Sequence, residues 1–134
     1  MRGSLPRVTF NPERVFQAVI EQESGGRAGV TGPQTRYGRA QGLAQMLPET
    51  AREMAGKLGV PYRPELMTGT SPEAANYQYQ LGLAYFKQGL AATGNLRDAL
   101  RYYHGGPDRS IWREKTNRYA DEVAARLGIT ELSG

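Results

Sequence analysis

The sequence of 134 residues has no cysteine and only one histidine. Without thiols the chain cannot form disulfides, thiolate zinc sites or a cysteine nucleophile, and its redox compartment stays undecided. One imidazole does not make a metal cluster. We therefore expect neither a metal ion nor a cofactor.

Long hydrophobic runs are also missing. No apolar stretch is long enough to span a bilayer, and no basic-then-apolar leader opens the chain, so we expect no membrane span and see no export signal. Seventeen basic and thirteen acidic residues give a net charge of +4, a mild positive field that favours polyanions. The arginines are scattered and no nucleic-acid-binding motif accompanies them, so we do not expect a nucleic-acid partner.

The length bounds the organisation of the chain. It suits a single domain, 1–134, that is monomeric in isolation, with an ordered core over about 11–127 and peripheral ends at 1–10 and 129–134. The opening Met1-Arg2-Gly3-Ser4 looks vector-encoded.

Hydrophobic periodicity and capping residues predict an all-α protein with five main helices. Segment 25–41 has no helical or alternating period and is predicted as a loop, with a small hairpin as the alternative. The five helices are predicted from Asn11-Pro12 to Ser24, from about Pro48 to Gly59, from Ser71-Pro72 to about Ala92, from Asn95 to Gly105, and from about Ile111 to Gly128.

Glu23 is the acid with the most informative position. It follows Ile20 by three residues and Val19 by four, so it continues an apolar helical stripe that ends at Gly25-Gly26. Desolvation and the negative end of the helix dipole both raise the pKa of a carboxyl group placed there. Such a group suits a general acid, and the alternative is a helix-terminal acid that merely lines up with the core.

Three blocks of residues, in order, resemble the soluble-type lytic transglycosylases. The blocks are Glu23-Ser24, Gly42-Leu43-Ala44-Gln45 leading into Pro48-Glu49-Thr50-Ala51, and Tyr103-His104-Gly105-Gly106-Pro107, with a looser late match at Thr116-Asn117-Arg118-Tyr119. The resemblance covers most of the chain. It implies a goose-lysozyme-like helical fold that acts on peptidoglycan glycan strands, either in the periplasm and cell envelope or in a phage virion.

The resemblance also implies a mechanism. Glu23 protonates the glycosidic oxygen between N-acetylmuramic acid and N-acetylglucosamine, the 2-acetamido carbonyl stabilises the anomeric carbon, and Glu23 then takes the proton of the 6-hydroxyl. The product is a 1,6-anhydro sugar. This substrate-assisted route needs one carboxylate, whereas most glycosidases need two.

Five further residues are candidates for substrate binding. Gln45 is expected to hold a sugar amide or hydroxyl, with helix capping as the alternative. Ser24 either bonds the Glu23 carboxylate or helps to end the helix. Tyr103 and Tyr119 lie on apolar stripes but carry polar tips at the implied site, with more weight on packing for Tyr119. His104 takes the place of the family's usual asparagine.

Two other positions depart from the family pattern: Ala44 stands where methionine is common, and Lys115 stands where an acid often precedes the late Thr-x-x-Tyr.

Two alternative functions stay open. A muramidase on the same fold would need a second carboxylate or a positioned water, and the 25–41 segment contains no acid. A non-catalytic wall-binding or virion module would not need Glu23.

Overall fold

The structure is a computed structural model that describes residues 10–128. The predictions for Met1-Arg2-Gly3-Ser4 and for the peripheral ends 1–9 and 129–134 lie outside the described residues. Within 10–128, none of the helices is long and apolar enough to cross a membrane.

The described part of the chain is mostly helical, with one two-stranded antiparallel hairpin between the first two helices. In chain order the elements are α1 (Pro12–Ser24), β1 (Thr31–Thr35), β2 (Gly38–Gln41), α2 (Pro48–Leu58), α3 (Pro64–Met67), α4 (Pro72–Thr93), α5 (Leu96–Gly105), a 3₁₀ turn (Arg109–Ile111) and α6 (Glu114–Leu127).

The predicted helix boundaries are confirmed at most ends. The Asn11 side chain accepts from the backbone N–H of Glu13 at 2.8 Å, and Ser71 and Asn95 cap α4 and α5 in the same way. Helix α1 ends where Gly25 takes a left-handed backbone conformation, with φ of 67°. Local capping chemistry therefore decides where these helices start and stop.

Within the helical part, the structure differs from the prediction in three places. The last helix begins at Glu114 and not near Ile111, because Arg109–Ile111 forms a 3₁₀ turn capped by the Asp108 side chain. A short helix, α3, lies inside the predicted 60–70 connection. The helical spacing of Ala51, Met54, Ala55 and Leu58 predicts that all four lie on the core face of α2. Leu58 is nevertheless 48% exposed, because α2 ends there and its last turn projects beyond the core.

Segment 25–41, predicted as a loop, forms the hairpin that was the alternative. Thr31 pairs with Gln41 and Thr35 with Gly38, with a bulge between Thr31 and Gln34. Its residues are mostly exposed or half-buried. The alternation of side chains that normally predicts a strand is therefore missing from the sequence.

Helix α4 runs through the middle of the protein, as its nearly all-round apolar content predicts. It packs against α1, α2, α3 and α5, while α6 closes the other side against α1 and α5. The largest fully buried side chains include Phe16 on α1, Phe86 and Leu81 on α4, and Leu100 on α5. The stripe predicted from Val15 to Ile20 is buried throughout.

One polar side chain lies in this core without any exposure. Gln78 on α4 accepts from the backbone N–H of Gly29 at 3.2 Å and of Leu43 at 2.8 Å. Its amide nitrogen donates to the carbonyls of Leu66 at 2.7 Å and Gly69 at 2.9 Å. One amide thus joins both ends of the hairpin segment to the α3–α4 connection.

We predict that Gln78→Glu destabilises the protein at neutral pH by about 3 kcal/mol, because a carboxylate oxygen would then face the carbonyls of Leu66 and Gly69. Lowering the pH should recover part of the loss, since a protonated carboxyl group can donate again. Urea unfolding at pH 7 and pH 5 measures both effects.

The matched control for that variant is Gln80→Glu, two residues along the same helix, where the side chain is exposed. Its stability should change little. Equal stability of the two variants would show that the Gln78 amide does not hold the loops.

Candidate active site

The carboxyl group of Glu23 lies in the last turn of α1, just before the chain turns at Gly25. The residue is partly accessible, while its neighbour Ser24 is buried. A carboxyl group in this place is reachable by a ligand from one side and surrounded by protein on the others.

Burial raises the pKa of Glu23 from its ordinary value to about 7, and an interaction with the Tyr119 hydroxyl lowers it in part. Among residues 10–128, no lysine or arginine forms an ion pair with Glu23. About half of the molecules therefore carry the proton near neutral pH, which is the condition for a general acid.

Tyr103 on α5 connects two of the blocks that the sequence singles out. Its hydroxyl donates to the carbonyl of Ala44 at 2.7 Å, and its ring meets Phe16 edge-on at 5.9 Å between centroids. Burial and the nearby Glu23 carboxylate raise the pKa of Tyr103 well above its ordinary value. The hydroxyl therefore stays neutral and holds the 42–46 loop beside Glu23.

Tyr119 on α6 has a buried hydroxyl that makes no hydrogen bond of ordinary length and angle with any described residue. Burial, and next the Glu23 carboxylate, raise the pKa of this hydroxyl well above its ordinary value. A buried hydroxyl without a partner is costly, and such groups often have a functional reason. Here the hydroxyl is placed to donate to the Glu23 carboxylate when that group is ionised.

His104 is exposed at the edge of the same cluster. Its ring stacks on Tyr119 at 4.7 Å between centroids, and Nδ1 lies 3.1 Å from the hydroxyl of Thr116. Burial of part of the ring and the charge of Lys115 lower the pKa of His104, while Glu122 raises it. The imidazole is therefore neutral near pH 7, like the amide it replaces, and can donate or accept.

The side chains of the two remaining candidates, Gln45 and Ser24, form hydrogen bonds with backbone groups. The Gln45 amide nitrogen donates to the carbonyls of Val30 at 2.9 Å and Gly42 at 3.0 Å, and its backbone has a left-handed φ of 51°. The Ser24 hydroxyl donates to the Ile20 carbonyl and accepts from Gly26, both at 3.2 Å. Ser24 thus helps to end α1, and Gln45 keeps only its amide oxygen for a ligand.

The 42–46 loop can lie close to α4 because α4 carries a glycine opposite it. A Cβ atom on Gly82 would come within 2.5 Å of the Ala44 Cβ and 2.7 Å of the Phe16 ring. Ala44 therefore fills its position without leaving a gap, and Met46 is separately buried in the core.

Sequence reasoning missed Gln78, Gly82 and the Thr116 contact with His104. Gln78 and Gly82 lie on α4 among buried apolar residues such as Leu81, and a polar or small residue in such a place is a signal for a buried hydrogen bond or a close approach. Nothing in the sequence indicates which loop each of them meets.

The described residues contain no group of His, Cys, Asp and Glu that could hold a metal ion. Two surface depressions, of about 350 and 480 Å³, lie elsewhere, one between α2 and α4 and one between α1 and α6. Neither includes Glu23. The candidate site is built around a carboxyl group and two tyrosines.

A partly accessible carboxyl group with a pKa near 7, held at a helix end in a helical domain with one small hairpin, suits a general acid. The sequence model described as "Transglycosylase SLT domain" matches residues 9–125. The chain belongs to that family.

One relative is the protein named "Transglycosylase" of Enterobacteria phage PRD1. It is 29% identical over 117 residues, which cover 87% of this chain and 37% of the phage protein. The chain thus spans little more than a third of that relative. These findings confirm the predicted family and the helical, lysozyme-like fold, and they support a transglycosylase-type activity.

We predict that Gly82→Ala destabilises the protein by about 2 kcal/mol and lowers activity, because the added methyl group must push the Ala44 loop away from Tyr103. Gly56→Ala on α2 is the matched control. A Cβ there meets nothing within 4 Å, so this variant should be more stable by about 0.5–1 kcal/mol. Thermal unfolding tests both, and a neutral Gly82→Ala would contradict the close packing.

We predict that Tyr119→Phe moves the alkaline limb of kcat/KM to higher pH, because the hydroxyl that lowers the pKa of Glu23 is removed. Stability should hold or improve, since the hydroxyl makes no hydrogen bond of ordinary geometry in the described part of the chain.

For Tyr103→Phe we predict a loss of stability without a shift of the pH profile. This variant leaves the Ala44 carbonyl without its hydrogen bond, which lowers the free energy of unfolding by about 1–2 kcal/mol. The alkaline limb of kcat/KM should stay at the same pH.

Proposed function

We propose that this chain is a peptidoglycan lytic transglycosylase that cleaves the β-1,4 bond between N-acetylmuramic acid and N-acetylglucosamine and leaves 1,6-anhydromuramic acid ends. Glu23 is its single catalytic acid and base. The observation that carries the proposal is the raised pKa of Glu23, about 7, in a chain of the transglycosylase family.

The reaction balances without water. Protonated Glu23 gives its proton to the glycosidic oxygen as the bond from that oxygen to the anomeric carbon breaks. The 2-acetamido carbonyl of the substrate stabilises the positive charge that develops at this carbon. The Glu23 carboxylate then takes the proton of the 6-hydroxyl as this oxygen bonds to the anomeric carbon, and Glu23 is protonated again.

The surrounding residues support each half of that cycle. Burial keeps the proton on Glu23 at the start. The Tyr119 hydroxyl can then donate to the carboxylate that is left, which limits the cost of a buried negative charge. His104 and the free amide oxygen of Gln45 are proposed to bind sugar hydroxyl or amide groups beside it, and Tyr103 keeps the loop in position.

A hydrolytic muramidase is the alternative on the same fold. The other carboxylate that acts on the cluster is Glu122, which raises the pKa of His104. Glu122 is exposed on α6 and accepts from the Gln22 amide at 2.9 Å. The pKa of Glu23 is raised by burial and not by a second carboxylate, which favours a one-carboxylate mechanism.

The place of action follows from the substrate. Peptidoglycan is reached from the periplasm and cell envelope or from an infecting virion, and the phage relative supports a virion or periplasmic role. We propose that the isolated domain acts there as a monomer.

We predict that Glu23→Gln abolishes release of soluble fragments from bacterial sacculi, whereas Glu122→Gln retains most of it. Mass spectrometry of the products from the unchanged protein should show non-reducing anhydro ends, lighter by one water than reducing ends. Hydrated ends would establish the muramidase instead, and unimpaired lysis by Glu23→Gln would exclude Glu23 as the acid.

The same variant tests the pKa through stability. The folded-state pKa of Glu23 is raised from 4.5 to about 7, so the folded protein holds this proton more tightly, and stability falls as pH rises through that window. Above pH 7 the penalty is on the order of 3 kcal/mol. Glu23→Gln should therefore be more stable than the unchanged protein at pH 8 and little different at pH 4.5 in urea unfolding.

A further inference from the structure

The hairpin segment carries basic residues and no acid. Between Ser24 and Pro48 there are three arginines, Arg27, Arg36 and Arg39, and no aspartate or glutamate. We call residues 27–41 the arginine hairpin. Its local charge of +3 contrasts with a chain whose total is +4.

These arginines are not used for internal ion pairs. Arg27 donates to the Ser24 carbonyl at 3.0 Å, Arg39 to the Gly32 carbonyl at 3.1 Å, and Arg36 to the Tyr37 hydroxyl at 2.8 Å. Within residues 10–128, none of the three pairs with an acid, whereas several arginines of the helical part do: Arg52, Arg63, Arg97, Arg101, Arg109 and Arg118.

The tip of the hairpin presents an ordered pair of flat groups. Tyr37 is 64% exposed, and the Arg36 guanidinium lies over its ring at 5.0 Å. The Thr35 hydroxyl fixes the turn by donating to the Gly38 carbonyl at 2.6 Å and accepting from the Tyr37 N–H at 3.1 Å. An exposed aromatic ring with a guanidinium group held over it is typical of a binding surface.

The base of the hairpin is hydrogen-bonded to the 42–46 loop of the candidate active site. The Val30 carbonyl accepts from the Gly42 backbone at 2.7 Å and from the Gln45 side chain at 2.9 Å. The tip lies about 10 Å beyond Gln41, since the strand rises about 3.4 Å per residue. The arginine hairpin therefore adjoins the loop that carries Gln45, and an extended glycan strand bound at Gln45 can reach its arginines.

We propose that the arginine hairpin binds the carboxylates of the stem peptides carried by the glycan strand. The inference rests on the proposed function and names a second part of its substrate. Guanidinium groups match carboxylates in a two-point geometry, and an exposed tyrosine ring packs on peptide backbone. The tip carries one large exposed apolar residue, Tyr37, which is too little to insert into a membrane surface.

The test compares two substrates and two double variants. The substrates are intact sacculi and the peptide-free glycan strands that an amidase releases from them. Arg36→Gln/Arg39→Gln removes two charges from the hairpin. Arg14→Gln/Arg126→Gln removes two charges from exposed positions on α1 and α6, neither of them in an ion pair within residues 10–128, and is the matched control. All six rates, for the unchanged protein and both variants on each substrate, are measured as anhydro-end formation, with the melting temperature of each protein.

On intact sacculi the hairpin variant should be about fivefold slower at low salt than the unchanged protein, and the difference should shrink at high salt. On peptide-free strands the two should be equal. The control variant should match the unchanged protein on both substrates.

Three results would overturn the inference: an equal loss on both substrates, no loss on sacculi, or a hairpin-dependent sedimentation with phosphatidylglycerol vesicles that exceeds that with sacculi. A failure of the proposed function is a different observation. In that case the unchanged protein forms no anhydro ends from either substrate, whatever the hairpin variant does.

Discussion

The buried amide of Gln78 is the interaction on which the arrangement of the loops depends. Helices α1, α4 and α5 are held by apolar packing, but the hairpin segment and the α3–α4 connection have little apolar surface of their own. Four hydrogen bonds from one side chain in the middle of α4 fix both of them. Because a buried amide is stable only when all its bonds are made, the loops are fixed together or not at all.

The candidate site depends on that arrangement. Leu43, held by Gln78, is followed by Ala44, whose carbonyl accepts from Tyr103, and Tyr103 in turn contributes to the environment of Glu23. The carboxyl group owes its high pKa to missing solvent and not to a charged neighbour, so it is sensitive to how closely the loop and the tyrosines pack around it. Core packing and proton affinity are thus linked through one short segment of backbone.

The sequence predicts the helices well, because caps such as Asn11 and stops such as Gly25 act locally. It also predicts which face of α1 is buried, and so singles out Glu23. It does not predict the hairpin, which has no alternating pattern, or the late start of α6, where a 3₁₀ turn competes with helix. The groups that bond to Gln78 are distant from it in sequence, so one amino-acid sequence without an alignment does not indicate them.

The contact between Ala44 and Gly82 has a consequence for how this family diverges. The space between loop and helix holds one methyl group, that of Ala44, and a second methyl group on Gly82 would meet the Ala44 and Phe16 side chains at 2.5 and 2.7 Å. Homologues with a long side chain in place of Ala44 must shift α4 or direct that side chain elsewhere. The two positions should therefore covary, and an alignment that pairs them would trace the width of this gap across the family without a structure of each member.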